Sequence, residues 1–474
     1  LMIFKLIKIE LLKVLRKKGI YVIWGVMLLF CFFNNFLYWR DYDKEGRYLY
    51  EEKENIQEEI KNLTKEKDSN VLGTDARIML ETKIELLKLK STFSKNSWQY
   101  FKVNDYLYDA LYEKNKDSTN LEKVKYYDTL VSKFKNNDYS YFWHLEKKDL
   151  ESQISFLKEE QENGEGDTNL QKNLEQKEEE LSVLNYRIKN HIVEDNGYLN
   201  EALSTYLSSR DKLKELSKNT YQEKMVYQEV KREMKISETV LLDRVNYPKE
   251  NTLNSLIKGI MDDYDLFFVI ILLMVSASLI CDEFQKGTVK FLLIKPVSRF
   301  IILLSKYFTS ILVLLMSVLL VFSFQFVLGG IFFGVDSLHL GVIVYDYGLD
   351  KVLHLNVFLW FLISLLSKMP SILMLSLIAF LLGIVTSSTI ISMIIPLMLS
   401  IFSSSLLELA ISHHLYWMKY FPNFVWRFSS YLFGKSSGLE GLDFWFSCIW
   451  YSLYFVVFLL LVRGIFKRKD IKNV

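Results

Sequence analysis

Three observations predict an all-α membrane protein with six transmembrane helices and a large, mostly helical insert between the first two. The first is a segregation of composition. The chain has 474 residues, 50% hydrophobic and 24% charged, with a net charge of +2 and a mean hydropathy of +0.11. Residues 40–258 hold 37 basic and 43 acidic side chains, whereas the other 255 residues hold only 21 and 13. The second is a series of apolar stretches long enough to cross a bilayer core of about 30 Å, which takes roughly 20 helical residues. The third is helical periodicity in the polar stretch between them. Together these exclude a single soluble enzyme. The near-neutral charge offers nucleic acid no basic surface. Cys31, Cys281 and Cys448 all lie in apolar stretches, so no disulfide framework braces the insert. Lys-, Asn- and Ile-rich usage points to an AT-rich bacterial genome, and so to a bacterial plasma membrane.

The elements follow in order. Ile3, Leu6, Ile7, Leu11, Val14 and Leu15 recur at helical spacing, with Lys5, Lys8, Lys13 and Arg16 largely elsewhere. This is an amphipathic helix in the inner interface, its lysines facing anionic lipid headgroups. It carries too many charges to begin a span. The first span, 20–38, follows Lys17-Lys18 but lacks a small-residue cleavage site, so it is a retained helix with an aromatic outer belt. The second, 266–281, extends outward through Tyr264. The third is 300–328. The fourth lies within 357–385 and is interrupted at Lys368-Met369-Pro370. The fifth is 390–410, kinked at Pro396, and the sixth is 444–462. Sixteen of the 21 basic residues outside the insert lie before span one, between spans two and three, or after span six. The positive-inside bias therefore puts both termini in the cytoplasm and residues 40–258 outside the cell.

Within the insert, apolar residues recur at threes and fours: Ile56, Ile60, Leu63; Ile78, Ile84, Leu87; Ile154, Leu157; Leu174, Leu181, Leu184, Ile188. They predict long helices, including an antiparallel coiled-coil pair. The Tyr- and Phe-rich stretch 98–143 predicts a small packed core. Glu178-Glu179-Glu180 is a solvated helix face.

No catalytic constellation is present. Phe433-Gly434-Lys435-Ser436 imitates the end of a phosphate-binding loop, but Ser429 stands where the first glycine is required. His413 and His414 are adjacent and point about 100° apart on a helix, a poor chelating geometry. Asp262, Asp263 and Asp265 sit where the chain re-enters the bilayer; they suit a polar flank better than a cation site. The chain is therefore expected to be no enzyme and to bind no cofactor.

The most informative stretch is 281–306, CDEFQKGTVKFLLIKPVSRFIILLSK. It holds an acidic pair, Gly-Thr, a short apolar run, Pro-Val-Ser-Arg, and a lysine about two turns into the next span. This resembles the signature of ABC-2 type transporter permeases, the membrane subunits of ABC exporters with a type V-like fold. Asp282 and Glu283 match the family's acidic position, Gly287 and Thr288 its Gly-Thr, and Pro296, Ser298, Arg299 and Lys306 its tail. The resemblance extends to the six spans, the amphipathic start, the Ser-rich turn after span four and the aromatic segment around Trp417 and Trp426. It implies a coupling helix over 282–299, capped by Thr288 and ended by Pro296. Glu283 and Arg299 would pair with each other or with a partner.

The same resemblance implies a cytoplasmic ABC ATPase dimer as partner, supplying ATP and Mg, and a second permease copy or a homologous permease. Spans two and five would line the dimer centre. Candidate pathway residues are Ser276 and Ser278 on span two, Ser400, Ser403 and Ser404 on span five, Gln325 near the outer end of span three and Glu408 near that of span five. Small polar faces also serve close helix packing, and Gln325 and Glu408 also suit a wet outer interface. The expected cargo is a peptide, such as an antimicrobial peptide, or an amphipathic or hydrophobic molecule. Alternatives are cation efflux, or a non-transporting sensor or scaffold with a ligand-binding ectodomain.

Overall fold

The computed structural model describes residues 2–68, 73–94, 96–163, 168–195, 197–247, 252–287 and 298–468. They form two compact units, Leu1–Tyr42 with Tyr206–Val474, and Asp43–Thr205. The chain begins with α1 (Met2–Leu15) and α2 (Lys18–Lys67), whose portion Lys18–Arg40 is apolar enough to span a membrane.

The unit Asp43–Thr205 is built from helices. They are α3 (Thr74–Lys90), α4 (Trp98–Lys116), α5 (Leu121–Lys135), α6 (Tyr139–Asn163), α7 (Thr168–Asn190) and the start of α8 (Tyr198–Glu215). Asn120 caps α5 by accepting from the amides of Glu122 and Lys123. Leu86, Val103, Leu107, Leu111, Leu130, Phe134 and Phe142 are buried together, and the Trp98 ring meets Phe134 at 4.7 Å and Phe142 at 5.6 Å. Asn137 Oδ1 accepts from Trp98 Nε1 at 2.6 Å and Gln99 Nε2 at 3.0 Å, satisfying the buried indole. The short link between α6 and α7 makes them antiparallel neighbours, packed through Leu150, Leu181 and Leu184.

The other unit continues with α9 (Tyr221–Asp243) and α10 (Leu253–Asp263). Thr252 and Ser255 form a capping box at the start of α10, and Leu253, Leu256, Ile257, Ile260 and Met261 are buried. The polar insert was expected to run through residue 258; instead the helix from Leu253 onward packs into the apolar unit. Its polar outer face, with Lys258 and Asp262, hid that apolar stripe. Then come α11 (Asp265–Gln285) and α12 (Arg299–Phe333). A departure from the all-α expectation follows, an antiparallel hairpin of β1 (Val342–Asp346) and β2 (Lys351–Leu355) in the register Val344↔Leu353. Asp346 Oδ1 accepts from the amides of Gly348 and Leu349 and closes the turn.

The last elements are α13 (Val357–Thr386), α14 (Thr389–Ile401), α15 (Ser403–Ser412), α16 (Pro422–Val425) and α17 (Phe444–Arg468). Five helices are long and apolar enough to cross a membrane, and α14 with α15 makes a sixth if the bent pair is one span. Two sequence readings are corrected. Helix α13 runs through Lys368-Met369-Pro370 without interruption, and Lys368 is held by carboxylates of α10 and α11. The fifth span continues through Pro396 and bends by 41° at Phe402 instead, where a polar loop braces the break. Helices α11, α13 and α14 meet at Gly383, where a Cβ would lie 3.2 Å from Cys281 Sγ and 3.3 Å from Ser392 Oγ. The lookalike phosphate loop is a turn, with Gly434 at φ +73° and Lys435 paired to Glu229 at 3.3 Å.

Phe134→Ala is expected to cost about 3–5 kcal/mol, the usual penalty for deleting a buried ring. Limited proteolysis of the full chain checks this: new cleavage should concentrate within 43–205 and spare α11 to α17.

Candidate functional site

Lys306 lies on α12 among apolar neighbours, its side chain 1% exposed. Its Nζ meets Glu283 Oε1 at 2.7 Å, the Leu279 carbonyl at 2.9 Å and Glu10 Oε2 at 3.4 Å. Lys13 on α1 closes the group, reaching Glu10 Oε1 at 3.0 Å and Glu283 Oε1 at 3.3 Å. Beside it Lys17 meets Asp282 Oδ2 at 2.7 Å. A buried ammonium must be paired, and here the carboxylates come from two other helices, α1 and α11. Burial pulls the Lys13 ammonium down, but its hydrogen bonds and the charges of Glu10 and Glu283 outweigh this and hold it above the usual lysine value.

The rest of the 281–306 motif explains itself locally. Gly287 ends α11 at φ +65°, a conformation that costs glycine little. Ser298 caps α12 by accepting from the Ile301 amide. Arg299 Nη1 donates to the Lys467 carbonyl at 2.9 Å, so the start of α12 is tied to the end of α17. Among the described residues, Glu283 therefore pairs with Lys306 and Lys13, and not with Arg299. Thr288 and Pro296 lie outside the described residues. Glu10 was missed by sequence reasoning. A single glutamate in a basic amphipathic helix, on the same stripe as Ile3, Leu6 and Val14, was the available signal.

About 26 Å of helix axis separates Asp282 from Asp265 at the other end of α11. There Lys368 Nζ donates to the Met261 carbonyl at 2.7 Å and meets Asp262 Oδ1 at 2.9 Å and Asp265 Oδ1 at 3.1 Å. The cation these aspartates hold is the protein's own lysine. Nearby, Asn423 Nδ2 donates to the Leu399 carbonyl at 2.9 Å and Arg427 Nη1 to the Ser403 carbonyl at 3.4 Å. These bonds occupy carbonyls on both sides of the break at Phe402. A cavity of about 180 Å³ opens between them, lined among others by Asp265, Lys368, Ser400, Ser403, Ser404 and Arg427.

The three span-five serines thus come together. Ser276 does not join them: its Oγ meets Ser376 Oγ at 3.0 Å, with Ser310 Oγ 3.2 Å from the same oxygen, in a tightly packed three-helix contact. Ser278 Oγ donates to the Val275 carbonyl. Gln325 does not sit at a wet interface. It is 1% exposed, and its Oε1 accepts from Cys31 Sγ at 2.6 Å, Asn35 Nδ2 at 2.9 Å and Tyr264 OH at 3.4 Å. Glu408 is exposed on α15.

Residues 230–472, about half of the chain, match a family model described as "Protein of unknown function (DUF2705)". The chain belongs to this family. The matched stretch takes in α10 to α17, with Asp282, Glu283, Lys306 and the cavity, while Glu10 lies outside it. A Bacillus subtilis (strain 168) protein with the printed name "Uncharacterized protein YhcI" is 31% identical over 201 residues, which is 42% of this chain. The chain spans 64% of that relative's length. No solved structure matches.

Lys306→Met leaves Glu10 and Glu283 to share Lys13 alone, one carboxylate too many in a low-dielectric site, and breaking a buried pair on one side typically costs about 3–5 kcal/mol. The thermal midpoint of the purified protein should fall accordingly. Adding Glu10→Gln should restore part of it, because Lys13 then balances the one carboxylate that remains, Glu283.

Proposed function

We propose that this chain is the permease subunit of an ATP-binding cassette exporter. It would couple to a separate cytoplasmic P-loop ATPase dimer that supplies ATP and Mg, and pair with a second copy or a homologous permease. The cargo would be a peptide or an amphipathic molecule moved outward, with residues 40–258 outside the cell. One observation carries the reading: the segment resembling a coupling helix starts from an acidic pair that is salt-bridged to α1 and, through Glu283, to Lys306 on α12. A push on that segment is therefore delivered at once to α11, α12 and the amphipathic helix. A loop without such anchors would absorb the motion by bending.

The same geometry separates two kinds of residue. Glu283 and Lys306 hold the fold. Asp282, whose side chain is 31% exposed, pairs with Lys17 at the edge of the cluster, and Arg299 lies apart from it on the Lys467 carbonyl; these two would meet the partner. Exposed pairs are worth about 0–1 kcal/mol. Asp282→Asn and Arg299→Ala should thus leave the thermal midpoint almost unchanged while ATP hydrolysis by the complex becomes insensitive to cargo. Wild-type coupling in both variants would count against this role.

A soluble P-loop ATPase should copurify with the chain in equal stoichiometry, and the chain alone should hydrolyse no ATP. ATP hydrolysis by the purified chain alone would overturn the reading.

A further inference from the structure

The cavity beside the bent pair α14–α15 has a volume of about 180 Å³, room for on the order of ten waters. Its two cations differ. Lys368 is committed to Asp262, Asp265 and the Met261 carbonyl. Arg427 donates to the Ser403 carbonyl at 3.4 Å and feels the charges of Asp265 and Glu408, yet among the described residues no carboxylate is within salt-bridge distance of it. The hydroxyls of Ser400, Ser404 and Ser429, which also line the cavity, make no hydrogen bond among the described residues. A guanidinium presents five donors in a fixed fork that matches carboxylate and phosphate oxygens. A partly buried cation with spare donors and three uncommitted hydroxyls around a void form a recognition set for an anion.

We propose that this cavity binds the anionic head group of an amphiphile, a phosphate or a carboxylate, against Arg427, with Ser400 and Ser404 donating to its oxygens. Apolar side chains line the same cavity. Phe268, Leu314, Val318 and Leu375 face it together with the serines. A head group held at Arg427 sets the start of its chain against these apolar side chains. The inference rests on the exporter reading only in making the ligand a cargo; binding itself is a property of this chain alone.

The test uses the purified full chain in neutral detergent, without any ATPase, and reads the thermal midpoint against ligand concentration. The probes are dodecyl phosphate, dodecanoate, dodecanol, dodecyltrimethylammonium and inorganic phosphate. Dodecyl phosphate and dodecanoate should stabilise the protein; dodecanol and the cationic amphiphile should not. Arg427→Gln should weaken dodecyl phosphate about tenfold or more, as expected for losing hydrogen bonds to a charged group. Arg427→Lys should fall between, since it keeps the charge and loses the fork. Because Arg427 also braces the helix break, Ser400→Ala with Ser404→Ala carries the test if Arg427→Gln does not fold, and should weaken binding severalfold. Inorganic phosphate matching dodecyl phosphate would keep the anion site and assign it to a free anion. Stabilisation by dodecyltrimethylammonium without any by dodecyl phosphate would overturn the proposal, as would equal stabilisation by dodecanol. Failure to find an ATPase partner leaves this result untouched, so the two readings fail separately.

Discussion

The unit that holds the long apolar helices is organised around one buried cation. An ammonium group in apolar surroundings is tolerable only if carboxylates and carbonyls replace its water. Lys306 obtains these from Glu10 of α1, Glu283 of α11 and the Leu279 carbonyl. Three separate segments must therefore converge, and each fixes the next. Glu10 lays the amphipathic helix against the bundle. Glu283 sets where α11 must end, and Gly287 ends it there. Ser298 then starts α12 so that Lys306 falls about two turns inside.

The opposite end of α11 repeats the solution with other residues. Lys368 sits well inside α13 and is held by Asp262 and Asp265. What differs is the neighbouring break at Phe402. Apolar surroundings penalise unpaired backbone carbonyls, and the loop carrying Asn423 and Arg427 supplies the missing donors. The repair leaves a polar void in the wall of a span, where an intramembrane charge is a candidate for function.

Much of the architecture was legible because its signals are long and redundant. Runs of some 20 apolar residues leave few options other than helices, and the acid-to-lysine order of 281–306 marked a segment in which Glu283 and Lys306 meet in one ionic group. Legibility failed where one residue has two physically reasonable fates. Pro396 looks like a kink, yet the helix passes through it. Ser276 suits both a pathway and close helix packing, and its hydroxyl meets Ser376 from another helix. Gln325 looks like a wet outer residue and is the acceptor at the centre of a buried knot with Cys31, Asn35 and Tyr264. Side-chain chemistry is local, but the partner that decides its use lies from 61 to 294 residues away.

The sequence by itself determined how the chain is segregated: apolar helices long enough for a bilayer, a charged helical stretch between the first two, and a basic amphipathic helix at the start. These follow from composition and period, which neighbours in the chain suffice to express. Only the tertiary structure decided which charges meet. Glu10 and Lys306 are nearly 300 residues apart in number yet form one ionic group, and Lys368 claims aspartates that looked like a polar flank. It also decided that a short hairpin interrupts the helices and that span five breaks at Phe402. Pairing of buried charges and repair of broken backbone depend on which helices lie side by side. That arrangement is set by the summed packing of the whole unit and by no single stretch of it.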